Sequence, residues 1–423
     1  MTVIVSKLLQ SADFESQETY MRYSILEVGR RILEQVYNKL GETTIPEKSN
    51  SSEYLYYGKR SREILTLLGN IEIKRHYYYN AKKKKGIIPF DEMMGIGESS
   101  FSPGVQRAVS HTGAYLPFEA AEKQIRELAG VHVDAKSVER ISKEIGAEIE
   151  EYNKRDDRLT PTTSTIGEET VYLCMDGTGI PMHQRALEGR KGKNTEQAKT
   201  REVKLGCIFT QLENDIDGYP IRKEESTTYW GGIINAENFG EETEAAAKAR
   251  KVDQAKRLCI ISDGATWIWN IADEYFPGAI QIVDLYHARE HYWEIGRMFF
   301  ENASKELYAW TDKRKKELND GNVNKIIRAL KKLIPRNDDQ RKAIDRAIGY
   351  YDKHRKRMRY KLFRENGLFV GSGVLEAGCR SVIGQRLKQS GMHWSLKGAA
   401  SMIALRCCIF SNQWEDFWEK RAA

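Results

Sequence analysis

Five short strand-like runs between residues 171 and 287 constrain this chain more than any other feature. VYLCMDG (171–177), REVKLGCIFT (201–210) and STTYWGG (226–232) read as three successive strands. A helical stretch over 236–256 follows, and then come a strand in RLCIISDG, a helix in ATWIWNIADEYF and a strand in AIQIVDLYH. This order predicts an α/β domain built on a mixed sheet.

Three strands, a helix and further strands separated by helices form the order expected of a ribonuclease-H-like fold. We therefore predict a ribonuclease-H-like catalytic domain over 165–423, interrupted by an all-helical insertion at about 290–368. The insertion is strongly basic, since residues 301–365 hold 20 Lys and Arg against 10 Asp and Glu, whereas the whole chain has a net charge of +7. Positive charge concentrated in this way favours a nucleic-acid partner.

The first third of the chain predicts a mainly helical DNA-binding region that contains a small sheet. Residues 1–55 form a helical region with a helix over 15–40, and residues 56–100 form a β-hairpin module that turns at Gly69-Asn70. Residues 101–157 resemble a helix-turn-helix, in which Gly130 ends the first helix and Asp134 or Ser137 caps the second. An ordinary helical hairpin explains this pattern equally well. RLTPTTSTIGEE (158–169) is typical of a linker.

Length and composition predict a soluble, multidomain, cytoplasmic protein. At 423 residues, with 40% hydrophobic and 30% charged residues, the chain is expected to form two or three globular domains. No apolar run approaches the roughly 20 residues that span a bilayer, and the N-terminus lacks the pattern of a signal peptide. The six cysteines include no C-x-x-C pair, which favours a reducing cytoplasm.

Three acidic residues are candidates for catalysis of phosphoryl transfer. Asp176 and Asp263 each close an apolar strand, and Glu376 begins a helix after the loop Gly371–Gly373. Carboxylates at strand ends can share divalent cations, and phosphoryl transfer on DNA uses two Mg²⁺ ions held by hard oxygen ligands. Each residue also has an ordinary explanation: Asp-Gly is a common turn, and a first-turn Glu is favoured by the helix dipole.

The segment DLYHAREH adds Asp284, His287 and His291. A zinc site built on the two histidines is disfavoured, because no third and fourth ligand follows at a suitable spacing. A histidine that forms hydrogen bonds beside the carboxylates is the better interpretation.

Four stretches together resemble the ISKra group of insertion-sequence DDE transposases. They are MDGTGIPM, TREVKLGCIFTQ, SDGATWIWNIADEYFPGAIQIVDLYHAREH and GSGVLEAGCRSVIGQRLKQSGMHW. The resemblance covers most of residues 170–410. It implies a magnesium-binding catalytic triad of Asp176, Asp263 and Glu376, with Asp284 and His287 lining the site without binding the metal directly; Mn²⁺ is expected to substitute for Mg²⁺.

The resemblance also implies partners and a reaction. Such enzymes bind the terminal inverted repeats of their element, cut there and join the 3′-hydroxyl to target DNA, usually as dimers or larger assemblies. The expected DNA contacts are Arg190, Lys191, Lys193, Arg380, Gln385, Arg386 and Lys388, although the first three lie in a Gly-rich loop that also reads as a solvated segment. A nuclease without strand transfer and a non-catalytic DNA-binding repressor are the alternatives.

The N-terminal part departs from this family. Relatives often carry a cysteine-bearing, zinc-ribbon-like module where this chain reads HYYYNAKKKKGIIPFD, so no structural zinc is expected. Lys82–Lys85 there form either a phosphate-contacting loop or a solvated hairpin tip.

Overall fold

The computed structural model describes residues 13–46, 53–155, 169–192 and 198–422. The chain divides into two compact units, Met1–Ile145 with Lys420–Ala423 and Gly146–Glu419. Among the described residues, no helix is long and apolar enough to cross a membrane.

The first unit opens with a long helix packed on a β-hairpin. Helix α1 (Phe14–Thr43) begins after Asp13, whose side chain accepts a hydrogen bond from the Ser16 N–H at 2.8 Å. Strands β1 (Leu55–Thr66) and β2 (Gly69–Asn80) pair antiparallel. The predicted helix and hairpin are therefore confirmed.

The hairpin turn lies two residues before the predicted position. Thr66 pairs with Gly69, so Leu67 and Leu68 make the turn. The Thr66 hydroxyl closes it by accepting from the Leu68 N–H at 3.1 Å and donating to the Gly69 carbonyl at 2.8 Å. A threonine side chain thus stabilises the turn, which sequence analysis had placed at Gly69-Asn70.

The core of the hairpin module is a cluster of buried apolar side chains, against which Leu33 and Tyr37 of α1 pack. The cluster consists of Ile64, Ile71, Ile73, Phe90 and Ile96. The elements that follow are β3 (Lys85–Ile87), α2 (Pro89–Met93), α3 (Pro103–Tyr115), α4 (Phe118–Ala129) and α5 (Ala135–Asn153).

Helices α4 and α5 begin and end as predicted. Gly130, with φ +69°, terminates α4, and the Asp134 carboxylate accepts from the Ser137 N–H at 3.0 Å at the start of α5. The helix pair is present, and its role in binding DNA stays a prediction.

The second unit is built on a six-stranded mixed sheet. Its strands are β4 (Thr170–Pro181), β5 (Thr200–Asn214), β6 (Pro220–Arg222), β7 (Thr228–Gly232), β8 (Arg257–Ser262) and β9 (Ile280–Val283). β5 runs antiparallel to β4, while β6 and β7 both pair antiparallel with β5. On the other side of β4, β8 and then β9 run parallel to it. Helices α6 (Ala236–Ala249) and α7 (Thr266–Tyr275) connect β7 to β8 and β8 to β9.

This sheet confirms the predicted mixed α/β class. The predicted strands and connecting helices are present, and the short strand β6 is an addition that sequence analysis missed. The buried positions of β4 and β8 are mostly apolar and consecutive, as expected of strands covered on both faces.

The predicted insertion is helical. It contains α8 (Leu285–Phe299), α9 (Lys305–Asn319), α10 (Val323–Lys331), α11 (Asp338–His354) and α12 (Tyr360–Glu365). Within the insertion, the buried Tyr351 hydroxyl donates to the Ala288 carbonyl of α8 at 2.6 Å. The buried Tyr360 hydroxyl connects the insertion to the sheet by donating to the Val283 carbonyl of β9 at 2.9 Å.

The chain ends in a helical segment that contains one irregularity. α13 (Gly373–Gly378) continues into a π-helical segment, Cys379–Gly384, and then into α14 (Gln385–Leu387). The helices α15 (Leu396–Phe410) and α16 (Trp414–Ala422) complete the chain. All six cysteines are buried free thiols, which pack as small apolar side chains.

Candidate active site

Asp176 and Asp263 lie at one level of the sheet, where the parallel pairing of β4 and β8 stops. That pairing ends at Met175 and Ser262, and each aspartate is the next residue in the chain. The expectation that Asp176 closes its strand is wrong, because β4 continues to Pro181 in antiparallel pairing with β5. Asp263 does follow directly after β8.

Asp176 is partly buried, and its two oxygens have different partners. Oδ1 accepts from the Gly177 N–H at 2.6 Å, and Oδ2 accepts from the Cys379 thiol at 3.5 Å. Burial raises the pKa of Asp176 above its ordinary value, and the negative charge of Asp263 adds to the rise despite the Gly177 hydrogen bond. This electrostatic effect indicates that the two aspartates lie near each other.

Asp263 is positioned by a tight turn. Its Oδ1 accepts from the Ala265 N–H at 2.8 Å, which leaves the second oxygen to face other groups. Gly264 allows the turn to lie under the Tyr350 ring, because a Cβ at this position would stand 2.3 Å from the ring carbon Cε2. The turn interpretation and the catalytic interpretation of Asp263 are thus compatible.

Glu376 lies in the first turn of α13 and is exposed. Its N–H donates to the Ser372 carbonyl at 3.0 Å, and its Oε1 lies 3.5 Å from the Ser372 hydroxyl. The positive end of the helix dipole favours a carboxylate here, as predicted.

Asp284 is the N-cap of α8 and is fully buried. The predicted strand over 279–287 therefore ends early, at Val283. One carboxylate oxygen accepts from the N–H groups of Tyr286 and His287, at 2.6 and 3.0 Å. The other accepts from the Ser372 hydroxyl at 2.7 Å and also from the Ser372 N–H. Asp284 thus connects the start of α8 to the loop that carries Glu376.

His287 lies within electrostatic range of all three candidate catalytic carboxylates. Burial lowers its pKa, but the negative charges around it outweigh this effect and the net shift is upward. Those charges belong to Asp284, Glu290, Asp263 and Glu376. The His287 charge in turn lowers the pKa of Asp176. The charges of Asp263 and Glu376 thus raise the pKa of His287, and the charge of His287 lowers the pKa of Asp176.

The acidic cluster, meaning Asp176, Asp263 and Glu376, forms no ion pair with Lys or Arg in the described part of the chain. His287 itself pairs with Glu290 at 3.3 Å. Carboxylate oxygens are the donors that Mg²⁺ prefers, so the donor chemistry fits this ion. The three are not gathered into a finished ligand set, since no group of three His, Cys, Asp or Glu in the described residues is close enough to hold a metal ion.

The predicted DNA contacts separate into exposed and buried residues. Arg190, Lys191, Arg380, Gln385 and Lys388 are exposed. Lys388 donates through its Nζ to the Thr178 hydroxyl, two residues from Asp176. Lys193 lies outside the described residues.

Arg386 is fully buried, so its prediction as a DNA contact is wrong. Its guanidinium lies over the Trp394 ring at 5.4 Å, and its Nη1 donates to the Met392 sulfur at 3.4 Å. An arginine with a planar, weakly hydrated head group can pack in this way inside a protein.

Sequence analysis missed several residues beside the acidic cluster. Tyr350 of α11 lies half-buried against Gly264, and the centres of the His291 and Tyr350 rings are 3.7 Å apart. Cys379 contacts Asp176, and burial raises the pKa of its thiol. Cys379 follows Glu376 by three residues on one helix and was identifiable in principle, whereas no local signal identifies Tyr350.

Fold and site together define a mixed α/β protein whose acidic cluster lies where the parallel strands of its sheet stop pairing. The chain belongs to the UPF0236 family, described as an uncharacterised protein family, whose model matches residues 10–421.

Curated relatives cover nearly the whole chain at low identity. A UPF0236 protein of Caldanaerobacter subterraneus subsp. tengcongensis is 22% identical over 402 residues, which are 93% of this chain and 76% of the relative. The UPF0236 protein in the vanSb 3′ region of Streptococcus gallolyticus is 22% identical over 440 residues, 99% of this chain and 88% of the relative.

Among solved structures, the Drosophila P element transposase strand transfer complex matches with a TM-score of 0.33 and 10% identity, over 76% of this chain and 94% of that one. A likeness this weak carries no argument about fold or function.

Proposed function

We propose that this protein is a DNA transposase of a bacterial insertion sequence, of the ISKra type, which cleaves DNA and transfers strands with Mg²⁺. The observation that carries the proposal is the placement of the acidic cluster: Asp176 and Asp263 lie at one level of the sheet, and Glu376 lies on a helix that Ser372 connects to Asp284. None of the three forms an ion pair in the described part of the chain. Carboxylates without such partners concentrate at functional sites.

The topology supports a ribonuclease-H-like core. On one side of β4 lies β5, antiparallel to it, and then β7, antiparallel to β5. On the other side lie β8 and β9, which both run parallel to β4. This is the succession from which the sequence predicted such a core. Asp176 and Asp263 follow the paired part of β4 and β8, and Glu376 lies within α13, which supports the proposed triad.

Asp176, Asp263 and Glu376 would hold Mg²⁺, with Mn²⁺ as a substitute. When bound, the ions would supply activation of the attacking oxygen and neutralisation of the leaving one. The protein itself fixes Asp176 within a hydrogen-bonded strand, holds Asp263 in its turn, and orients the helix of Glu376 through Asp284 and Ser372. The acidic groups around His287 raise its pKa and favour its protonated form, which would supply positive charge to a phosphate bound at this site. Water and then a DNA 3′-hydroxyl are the proposed nucleophiles.

A basic crevice at the start of β9 supports a DNA substrate. It is lined by Lys353, Arg355, Lys356, Arg357 and Arg359, together with Asp352, Phe363 and Ala279–Gln281. The Lys353 Nζ donates to the Thr266 hydroxyl at 2.8 Å, three residues after Asp263, so the crevice begins close to the acidic cluster. A duplex held here through its phosphates would release counterions, and its binding would weaken with salt.

The names of the relatives fit a mobile element. One Caldanaerobacter relative is named by eleven loci and another by four. A protein that copies its own gene within a genome accounts for such multiplicity.

The experiment is an end-cleavage and joining assay with purified protein, Mg²⁺ and the DNA that flanks the coding sequence. We expect cut ends and joined products from the wild-type protein. Asp176→Asn, Asp263→Asn and Glu376→Gln should each lose both by at least a hundredfold while retaining DNA binding. The matched control is Glu274→Gln, an exposed residue of the same unit.

Each alternative predicts a different result. Cleavage without joined products would favour a nuclease. DNA binding without cleavage by the wild-type protein would favour a repressor. Full activity in any of the three carboxylate variants would refute the assignment of the site.

A further inference from the structure

Helix α1 carries a row of apolar side chains that face solvent. Ile25, Val28, Ile32 and Val36 are 62%, 51%, 56% and 47% exposed. Phe14, Met21 and Leu40 extend the row toward both ends of the helix. We call these seven residues the α1 stripe. Glu18 lies on the same face between Phe14 and Met21, so the continuous part of the row runs from Met21 to Leu40. An exposed apolar row of this length marks an interaction surface.

The stripe is separate from the side of α1 that packs on the hairpin. Leu33 and Tyr37 pack on the hairpin core, and polar neighbours anchor the same side. The Glu34 carboxylate accepts from the Glu72 N–H at 2.8 Å, and the Asn38 side chain accepts from the Lys74 N–H at 2.6 Å. α1 is therefore fixed in rotation about its axis, and the stripe remains available.

The central part of the stripe has the spacing of a coiled-coil helix. From Met21 to Ile25, Val28 and Ile32 the intervals are four, three and four, and such alternation forms a seam complementary to another helix. Val36 and Leu40 follow at intervals of four, so the row turns gradually around the helix toward its end. The 30 residues of α1 span about 45 Å, so the surface suits a long helix better than a compact ligand.

The charges on α1 select a second copy of the same helix in the opposite direction. Glu15 and Glu18 lie near its start and Lys39 near its end, and in the described ranges neither Glu18 nor Lys39 forms an ion pair. Antiparallel pairing centred next to Val28 places Glu18 beside the partner's Lys39. Parallel pairing would place Glu18 beside the partner's Glu18, which is repulsive.

The apolar residues agree with the same register. With Glu18 beside the partner's Lys39, Ile25 lies beside the partner's Ile32, and Met21 lies beside the partner's Val36. Each pair occurs twice because the arrangement is two-fold symmetric, as in most homodimers.

We propose that the α1 stripe is a homodimer interface in which two copies of α1 pack antiparallel. The interface uses no residue of the acidic cluster and needs no DNA. A test of dimerisation therefore gives a result that does not depend on whether the protein is a transposase.

The first test is the mass of the full-length protein, measured by sedimentation equilibrium without DNA. We expect a dimer, and we expect Ile25→Gln with Ile32→Gln to weaken dimerisation at least a hundredfold, since both residues would be buried in each copy. Leu128→Gln, which changes a residue 65% exposed on α4, is the matched control and should leave the dimer intact. Far-ultraviolet circular dichroism checks that each variant keeps its helices.

A charge exchange tests the direction of pairing. Glu18→Lys or Lys39→Glu alone should weaken the dimer about tenfold, because each creates two repulsive contacts in place of two attractive ones. The double variant should recover to within about threefold of the wild-type protein. A monomeric wild-type protein, a dimer that survives both glutamine substitutions, or single charge variants without effect would overturn the proposal.

Discussion

Removing the Asp284 carboxylate is expected to destabilise the second unit substantially. This side chain is fully buried and accepts hydrogen bonds from two N–H groups at the start of α8 and from both donors of Ser372. In Asp284→Ala, the loss of the helix cap costs about 1 kcal/mol. The buried hydroxyl and N–H of Ser372 lose their acceptor, at about 1 to 3 kcal/mol each. The expected loss is therefore about 4 kcal/mol.

Calorimetric or urea unfolding measures this loss. For a unit of this size, about 4 kcal/mol corresponds to a fall in Tm of about 10 °C. Ser372→Ala should cost only about 1 kcal/mol, because Asp284 keeps its partners at the helix start. The double variant should lose less than the sum of the two single losses, since it no longer contains an orphaned hydroxyl.

The control is Asp312→Ala, an exposed position of α9, which should change stability by less than about 0.5 kcal/mol. If Asp284→Ala melts within about 1 °C of the wild-type protein, or if its effect adds fully to that of Ser372→Ala, then the carboxylate does not hold the Glu376 loop as described.

Asp176→Asn is expected to raise the Tm of the metal-free protein at pH 8 but not at pH 4. The pKa of Asp176 is raised in the folded state, so the stability that this group contributes is present at low pH and is lost as the pH rises through that pKa. Thermal melts of the variant and the wild-type protein at pH 8 and pH 4 check this, and equal shifts in Tm at the two pH values would contradict it. Burial lowers the pKa of His354 to about 4, so stability is lost as the pH falls from 7 toward 4, by roughly 3 kcal/mol in total. His354→Phe should flatten this acid limb in urea titrations, and an unchanged limb would assign it to other groups. Arg355→Ala with Lys356→Ala should reduce the slope of log Kd against log salt by about 1 to 2 in fluorescence anisotropy with duplex DNA, whereas an unchanged slope would place DNA outside the basic crevice.

Local patterns predicted most elements of the second unit because its strands are short apolar runs bounded by polar residues. The exception around Asp176 has a physical cause. Gly177 and Gly179 look like a turn, but they extend β4 and let β5 approach closely: a Cβ on Gly177 would stand 2.5 Å from the Glu202 Oε1. Glycine marks both turns and close strand contacts, and the sequence alone does not distinguish them.

The candidate site was only partly predictable. The aspartate after β8 and the glutamate after a glycine loop follow from local rules, but Tyr350 reaches Gly264 from a helix about ninety residues later in the chain. The prediction of Arg386 as a DNA contact was wrong for the opposite reason. Its charge predicted an exposed side chain, whereas packing against Trp394 buries it. Contacts of this kind depend on how distant segments pack, which local spacing does not encode.

The π-helical segment Cys379–Gly384 makes this stretch of chain tolerant of losing one residue. Each π turn holds more residues than an α turn, so the segment behaves as an insertion within a helix. Deleting a single codon here would restore regular α-helical hydrogen bonding with little rotation between the two ends of the helix. The same deletion in the regular helix α15 would rotate its two ends against each other by about 100°. A single-codon deletion is therefore expected to be tolerated in the π-helical segment and to be disruptive in α15.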